Sequence, residues 1–163
     1  MNYQKLFAMQ KGLDQHIESK HKLEDADLFD RKILALLVEL GELANETRCF
    51  KFWSLKQPSE RKIILEEYVD GIHFILSLGL ECGFENEGDY LADLEIAQSV
   101  NDQFLLIYEQ TSKFRMSKSL RDYKYLLQAY LHLGEQLGFH SEETEQAYLA
   151  KNEVNYERQQ AGY

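Results

Sequence analysis

One proline, Pro58, stands in a chain of 163 residues. Proline lacks a backbone donor and clashes inside a helix, so a chain almost free of it can carry long helices. The apolar residues agree with that. Tyr3, Leu6, Phe7, Met9, Leu13 and Ile17 recur three or four apart, which is the period of a helix and not the alternation of a strand. The same period continues along the chain and predicts six helices. The first spans about Tyr3 to Ser19. The second spans Leu28 to Thr47, with Ile33, Leu34, Leu37, Leu40, Leu43 and Ala44 as its stripe. The third follows Ser59 as N-cap and reaches Cys82, where Gly83 ends it. The fourth spans Tyr90 to Phe114, and the fifth spans Leu120 to Leu137, stopped by Gly138. The sixth is capped by Ser141, with Glu142 and Glu143 at the positive end of its dipole, and fades after Tyr148. The expectation is an all-α bundle of about six helices with a four-helix core. It is one domain over residues 1–163, ending in a polar arm from about residue 150.

The formal net charge is −10. An acidic chain repels a nucleic-acid backbone, so no nucleic-acid partner is expected. A phosphorylated small molecule would need metal cations to approach clustered carboxylates. Cys49 and Cys82 are the only cysteines, and they form neither a ligand spacing nor a disulfide framework, which suits reduced thiols and a cytoplasmic location. The first residues have no continuous apolar run of the signal-peptide kind. Apolar stretches such as Ile33 to Val38 fall far short of the roughly 20 residues that span a bilayer, so no membrane partner is expected.

Carboxylates interrupt the most apolar helices. Glu39 and Glu42 sit three apart in the second helix, and Glu67 and Asp70 sit three apart in the third. Residues i and i+3 share a helix face. If the two helices lie antiparallel, four carboxylates converge, and they need a counter-charge to stay ionised. Magnesium is a hard cation that takes oxygen ligands and keeps water and phosphate oxygens in its shell. The alternative for either pair is a solvated face of an amphipathic helix. Residue patterns alone lead to a helical bundle with room for a multi-magnesium site, and no further.

Glu-x-x-Glu followed on the next helix by Glu-x-x-Asp resembles the metal-binding motif of the all-α nucleoside triphosphate pyrophosphohydrolases. These include the dimeric dUTPases, the MazG proteins, the dCTPases and the phosphoribosyl-ATP pyrophosphohydrolases. Three further tracts resemble the dimeric dUTPases: Met9 to Asp14, Phe50 to Trp53 together with Asp70 to Phe74, and the terminal run Tyr148 to Tyr163. The resemblance implies a MazG-like homodimer that hydrolyses dUTP, and by the same chemistry dUDP, to dUMP. It implies two or three magnesium ions on Glu39, Glu42, Glu67 and Asp70, with Glu39 or Glu42 also handling the attacking water as the catalytic carboxylate.

The same resemblance places the substrate contacts. His73 would hydrogen-bond at the uracil side, and Phe74 would lie on the deoxyribose and exclude a 2′-hydroxyl. Trp53 would flank the base, and Gln10 and Asp14 would complete the base pocket. Some relatives carry Asn at the position of Asp14, and an ionised Asp donates no hydrogen bond. Lys51, Lys151 and Arg158 would contact phosphates, and Asn155 would read the base or hold the arm, which would close over substrate. A different base, such as that of dCTP, or a broad nucleotide range keeps the chemistry and changes the pocket. A non-catalytic helical binding protein keeps only the fold. The tyrosines of the fifth and sixth helices, Tyr123, Tyr125, Tyr130 and Tyr148, are expected to pack in the core or at an interface with their hydroxyls kept wet.

Overall fold

The computed structural model describes residues 1–90 and 92–162. Its regular structure is helical: α1 Tyr3–His21, α2 Phe29–Thr47, α3 Arg61–Glu81, α4 Val100–Ser117, α5 Leu120–Gln136 and α6 Ser141–Gln160. Among the described residues no helix is long and apolar enough to cross a membrane.

α3 is the centre. It packs against α1, α2, α5 and α6, and buried residues run almost all round it from Tyr68 to Gly79, as a helix surrounded by neighbours requires. α2 lies antiparallel to it. The end of α2 meets the chain just before α3, where the Ser59 amide donates to the Glu46 carbonyl at 3.0 Å. The start of α2 meets the end of α3 through the Lys32–Glu81 ion pair. α4 and α5 form a second packed pair. Gly83 and Gly138 follow α3 and α5 with φ of 73° and 79°, the left-handed conformation expected of a glycine just past a helix.

Tyr68, Tyr123, Tyr130 and Tyr148 are fully buried. Their hydroxyls are not wet. Tyr123 donates to the Ile75 carbonyl at 3.2 Å and Tyr130 to the Tyr68 carbonyl at 2.8 Å. A helix carbonyl has a second lone pair free for such a bond, so the phenol can be buried without an orphaned group.

Four boundaries differ from the periodicity reading. α4 begins at Val100, not near Tyr90; Leu91 lies outside the described residues. Ser99 is the true N-cap, accepting from the Asp102 amide at 3.1 Å. The chain before it is tied down by glutamine side chains. Gln103 accepts from the Ala97 amide at 2.9 Å, and Gln136 donates to the Ala97 carbonyl at 2.7 Å. α3 takes Glu60 and α6 takes His140 as N-cap; Ser59 instead bonds the Glu46 carboxylate.

α6 does not fade after Tyr148 but continues to Gln160. Its inner face is polar, with Thr144, Tyr148 and Asn152 buried, so an apolar stripe could not reveal it. On α2 the buried face includes Leu36, while Leu34 stays 62% exposed.

Candidate active site

Four helices each turn a polar stripe toward one cavity of about 330 Å³. α1 contributes Gln10, Asp14 and Glu18, one turn apart. α2 contributes Lys32 and Glu39, two turns apart. α3 contributes Asp70, His73, Phe74 and Ser77, and α6 contributes Lys151, Asn155 and Arg158. Leu13, Ile17 and Leu28 supply an apolar wall. Helical spacing of three, four and seven puts each set on a single face.

At one side of the cavity the carboxylates of Glu39, Glu67 and Asp70 bring oxygens within 4.8 Å of one another. All three are half-buried. Burial, then the charges of Asp70, Glu42 and Glu67, push the Glu39 carboxyl up to about 7. Burial and neighbouring carboxylates likewise raise Glu67, and burial raises Asp70 against the pull of Lys151. The Lys151 ammonium donates to Asp70 at 2.6 Å and is the cation that offsets the cluster here. Glu42 is exposed and outside the converging triple, although its charge acts on all three.

The other side of the cavity is a hydrogen-bonded chain. Lys32 lies 3.6 Å from Asp14 and 3.3 Å from Glu18. Asp14 accepts from the Gln10 amide at 2.7 Å and from the Ser77 hydroxyl at 2.6 Å. The Gln10 oxygen meets His73 Nδ1 at 2.8 Å and the Tyr148 hydroxyl at 2.8 Å. His73 also stacks on Tyr148, with ring centroids 4.1 Å apart. Burial, with a smaller push from Lys151, holds the imidazole down to about 3, so it is neutral at ordinary pH.

Gln10, Asp14, Glu39, Asp70, His73, Phe74, Lys151, Asn155 and Arg158 thus line one cavity, with Glu67 joined to it through the carboxylate cluster. Lys51 and Trp53 do not line it. They lie on the connection from α2 to α3, where Trp53 is 64% exposed and touches only Phe50 and Phe52 edge-on among rings, and the Lys51 ammonium sits over the Phe50 ring. Sequence reasoning missed Lys32, Ser77 and Tyr148. Ser77 carried a signal, one turn beyond His73 on the Asp70 face. Lys32 stands two turns before Glu39 on α2, but a single lysine in a first turn gives no signal by itself.

Carboxylate oxygens in a half-buried cluster are the donor set that hard divalent cations take, so the residues fit magnesium. A family model described as dUTPase matches residues 2–163 of the chain. No curated protein matches it. With a family model covering essentially the whole sequence and an all-helical fold to go with it, this chain belongs to the dUTPase family and is a dUTP diphosphatase.

Proposed function

We propose that the cavity bounded by α1, α2, α3 and α6 is where dUTP is bound and cleaved between its α- and β-phosphates. One observation carries this reading: three carboxylates converge within 4.8 Å beside a cavity whose opposite side is a hydrogen-bonded network of Gln10, His73, Ser77 and Tyr148, with Asp14 and Glu18 offset by Lys32. The carboxylate side suits a metal-bound polyphosphate, and the hydrogen-bonded side suits a base.

Glu39, Glu67 and Asp70 would hold magnesium, two or three ions in all, with Glu42 at the solvent side. Bound there, magnesium neutralises the polyphosphate and acidifies a water. Glu39 and Asp70 both face the cluster and the cavity; with Asp70 bonded to Lys151, Glu39 would be the carboxylate that takes a proton, and Glu42 is the other candidate. Lys151 would leave Asp70 for the phosphates when metal arrives, joined by Arg158 and Lys51. Phe74 would lie against the deoxyribose. Gln10, Asp14 and His73 would surround the base, with Asn155 from α6 above it. Trp53 would approach the base from the α2–α3 connection.

The last turns of α6 would act as the closing arm, drawn in by contacts from Lys151, Asn155 and Arg158. The enzyme would work as a cytoplasmic homodimer. Its interface would use the apolar side chains that α2 and α4 leave exposed, Leu34, Val38, Leu105 and Met116. α5 exposes only Arg121 and Glu135, so it has little apolar surface to offer.

The test is hydrolysis of dUTP, dUDP, dCTP, dTTP and UTP by the purified protein, with and without magnesium. Magnesium-dependent cleavage of dUTP well above the others is expected. Equal rates in a chelator would remove the metal from the reading, and preference for another base would remove the assignment of the hydrogen-bonded side.

A further inference from the structure

Lys32 belongs to none of the expected sets, yet it sits at the root of the hydrogen-bonded side of the cavity. Its side chain is only 13% exposed, and its ammonium faces carboxylates from two other helices: Asp14 and Glu18 on α1 and Glu81 on α3. Burial pushes the Asp14 carboxyl upward, and Lys32 is the strongest influence against that push. The ammonium 3.6 Å from Asp14 Oδ2 and the Ser77 hydroxyl donating to that oxygen are the surroundings of a carboxylate, and a carboxylate only accepts hydrogen bonds.

That sign propagates. Asp14 Oδ1, 2.7 Å from the Gln10 side-chain nitrogen, must receive a proton from it. The Gln10 amide therefore cannot flip, and its oxygen faces the other way. An amide oxygen only accepts. The Tyr148 hydroxyl donates to it at 2.8 Å, and His73 Nδ1, also 2.8 Å away, must carry the proton of the ring. In a neutral imidazole the other nitrogen is then a bare lone pair. His73 Nε2 is buried without a hydrogen-bond partner among the described residues, in a side chain that lines the cavity. An orphaned acceptor in such a place is a feature to be explained.

We infer that Lys32, acting through Asp14 and Gln10, locks His73 in the Nδ1–H tautomer, and that the resulting Nε2 acceptor selects a base edge that donates an N–H. The inference rests on the reading of this cavity as the nucleotide site. The imide N3–H of uracil is such a donor. The N3 of cytosine is a lone pair and would face Nε2 lone pair to lone pair. A thymine imide is not distinguished by this device, which reads the donor and not the methyl group. Lys32 is thus a positioning residue for base choice, acting through Asp14 and Gln10.

Two measurements test this. The first is the ¹⁵N spectrum of imidazole-labelled protein, free of nucleotide, with His73 assigned by its loss in His73→Gln. A protonated Nδ1 and an unprotonated Nε2 are expected. A proton on Nε2 would overturn the inference outright, whatever the enzyme hydrolyses. The second is the ratio of kcat/KM for dUTP over dCTP in wild type, Lys32→Met and Lys32→Arg. Lys32→Met should lower the ratio by roughly tenfold or more, the scale at which a polar site discriminates by a hydrogen bond made or lost. Lys32→Arg keeps the charge and should restore most of it. A Lys32→Met protein that slows both substrates alike, with the ratio unchanged, would reduce Lys32 to a structural ion pair and end the proposal. If Lys32→Met does not fold, the tautomer of the wild type and the ratio in Lys32→Arg still decide. A wild type with the expected tautomer but no preference for dUTP over dCTP would overturn the base-reading step together with the site assignment, and would leave only the lock.

Discussion

Tyr68 and Tyr130 each hold the other's helix. The rings stack at 4.9 Å with 8° between planes. The Tyr130 hydroxyl donates to the Tyr68 carbonyl at 2.8 Å, and the Tyr68 hydroxyl donates to the Tyr130 carbonyl at 3.3 Å. Each hydroxyl reaches the opposing backbone because a glycine stands there. A Cβ on Gly71 would lie 2.0 Å from the Tyr130 hydroxyl, and one on Gly134 would lie 2.3 Å from that of Tyr68. Gly71 follows Asp70 directly, so this contact also fixes how α3 presents the Asp70 carboxylate to the acidic cluster.

Gly71→Ala should therefore destabilise the fold by about 1–3 kcal/mol or more, the cost of overpacking a filled core. Tyr130→Phe removes the nearest atom but leaves the ring carbon at 2.6 Å, so the double variant should recover part of the loss and not all of it. Urea unfolding of the four proteins in a thermodynamic cycle measures the coupling. Additive effects would mean that Gly71 and Tyr130 do not meet.

Glu39 sets a pH dependence whose sign can be worked out. Its folded pKa, about 7, lies above the ordinary glutamate value of 4.5. Below pH 4.5 the carboxyl is protonated folded and unfolded and costs nothing. Between 4.5 and 7 the unfolded chain gives up the proton while the folded protein holds it, so stability is lost as pH rises through that window and levels off above 7. Glu39→Gln does not titrate. In a chelator, the melting temperature of Glu39→Gln minus that of wild type should grow from pH 5 to pH 8. A difference that stays flat over that range would place Glu39 in an environment unlike this one. Magnesium added to wild type should close the gap at pH 8, because the metal stabilises the ionised form.

The parts of this molecule that were legible in the sequence are those in which apolar residues carry the helical period. α1, α2, α3 and α5 bury apolar stripes, and their bounds follow from them. α6 buries Tyr148 and Asn152 and bonds through Lys151, so its packing is written in polar residues that resemble a solvated tail. The segment before α4 is held by Gln103 from the start of α4 and by Gln136 from the distant end of α5, and no apolar period reveals either bond. The Ser99-x-x-Asp102 cap was a local signal, and it marks the true start of the helix. In the site, the carboxylates showed because they break apolar runs. Lys32 did not, because a lysine in a first turn looks like any surface charge until a fold surrounds it with Asp14, Glu18 and Glu81.

Glu67 and Asp70 differ from Glu42 in burial, and this difference should appear in metal affinity. Loss of a group that only supports a metal ligand costs 10–100-fold in affinity, so Glu67→Gln should raise the magnesium concentration for half-maximal dUTP hydrolysis by at least about that factor. Glu42→Gln, at the exposed rim, should raise it less but still lower the maximal rate. A Glu67→Gln enzyme with unchanged magnesium dependence would move the metal away from the converging triple. Full activity in Glu42→Gln would exclude it from the metal site and from the water.

Leu34 and Val38 lie one turn apart on α2 and are 62% and 49% exposed. Leu105, 62% exposed, stands on α4, which packs against α2. Between these helices the surface continues with Ala44, Phe104 and Tyr108 around a shallow cavity. Isolated exposed leucines are ordinary; a run of them across two packed helices marks a contact surface. Burying a leucine withdraws about 1.5–3 kcal/mol of apolar side chain from water, and a two-fold interface counts each residue twice. Leu34→Glu with Val38→Glu should therefore turn a dimer into a monomer in sedimentation equilibrium while leaving the helical content unchanged. The charges would sit in water in the monomer, so its own stability should hardly move. A variant that remains dimeric would shift the interface to the aromatic connection of Phe52, Trp53 and Leu55, where Phe52→Ser and Leu55→Ser would be the next pair to measure.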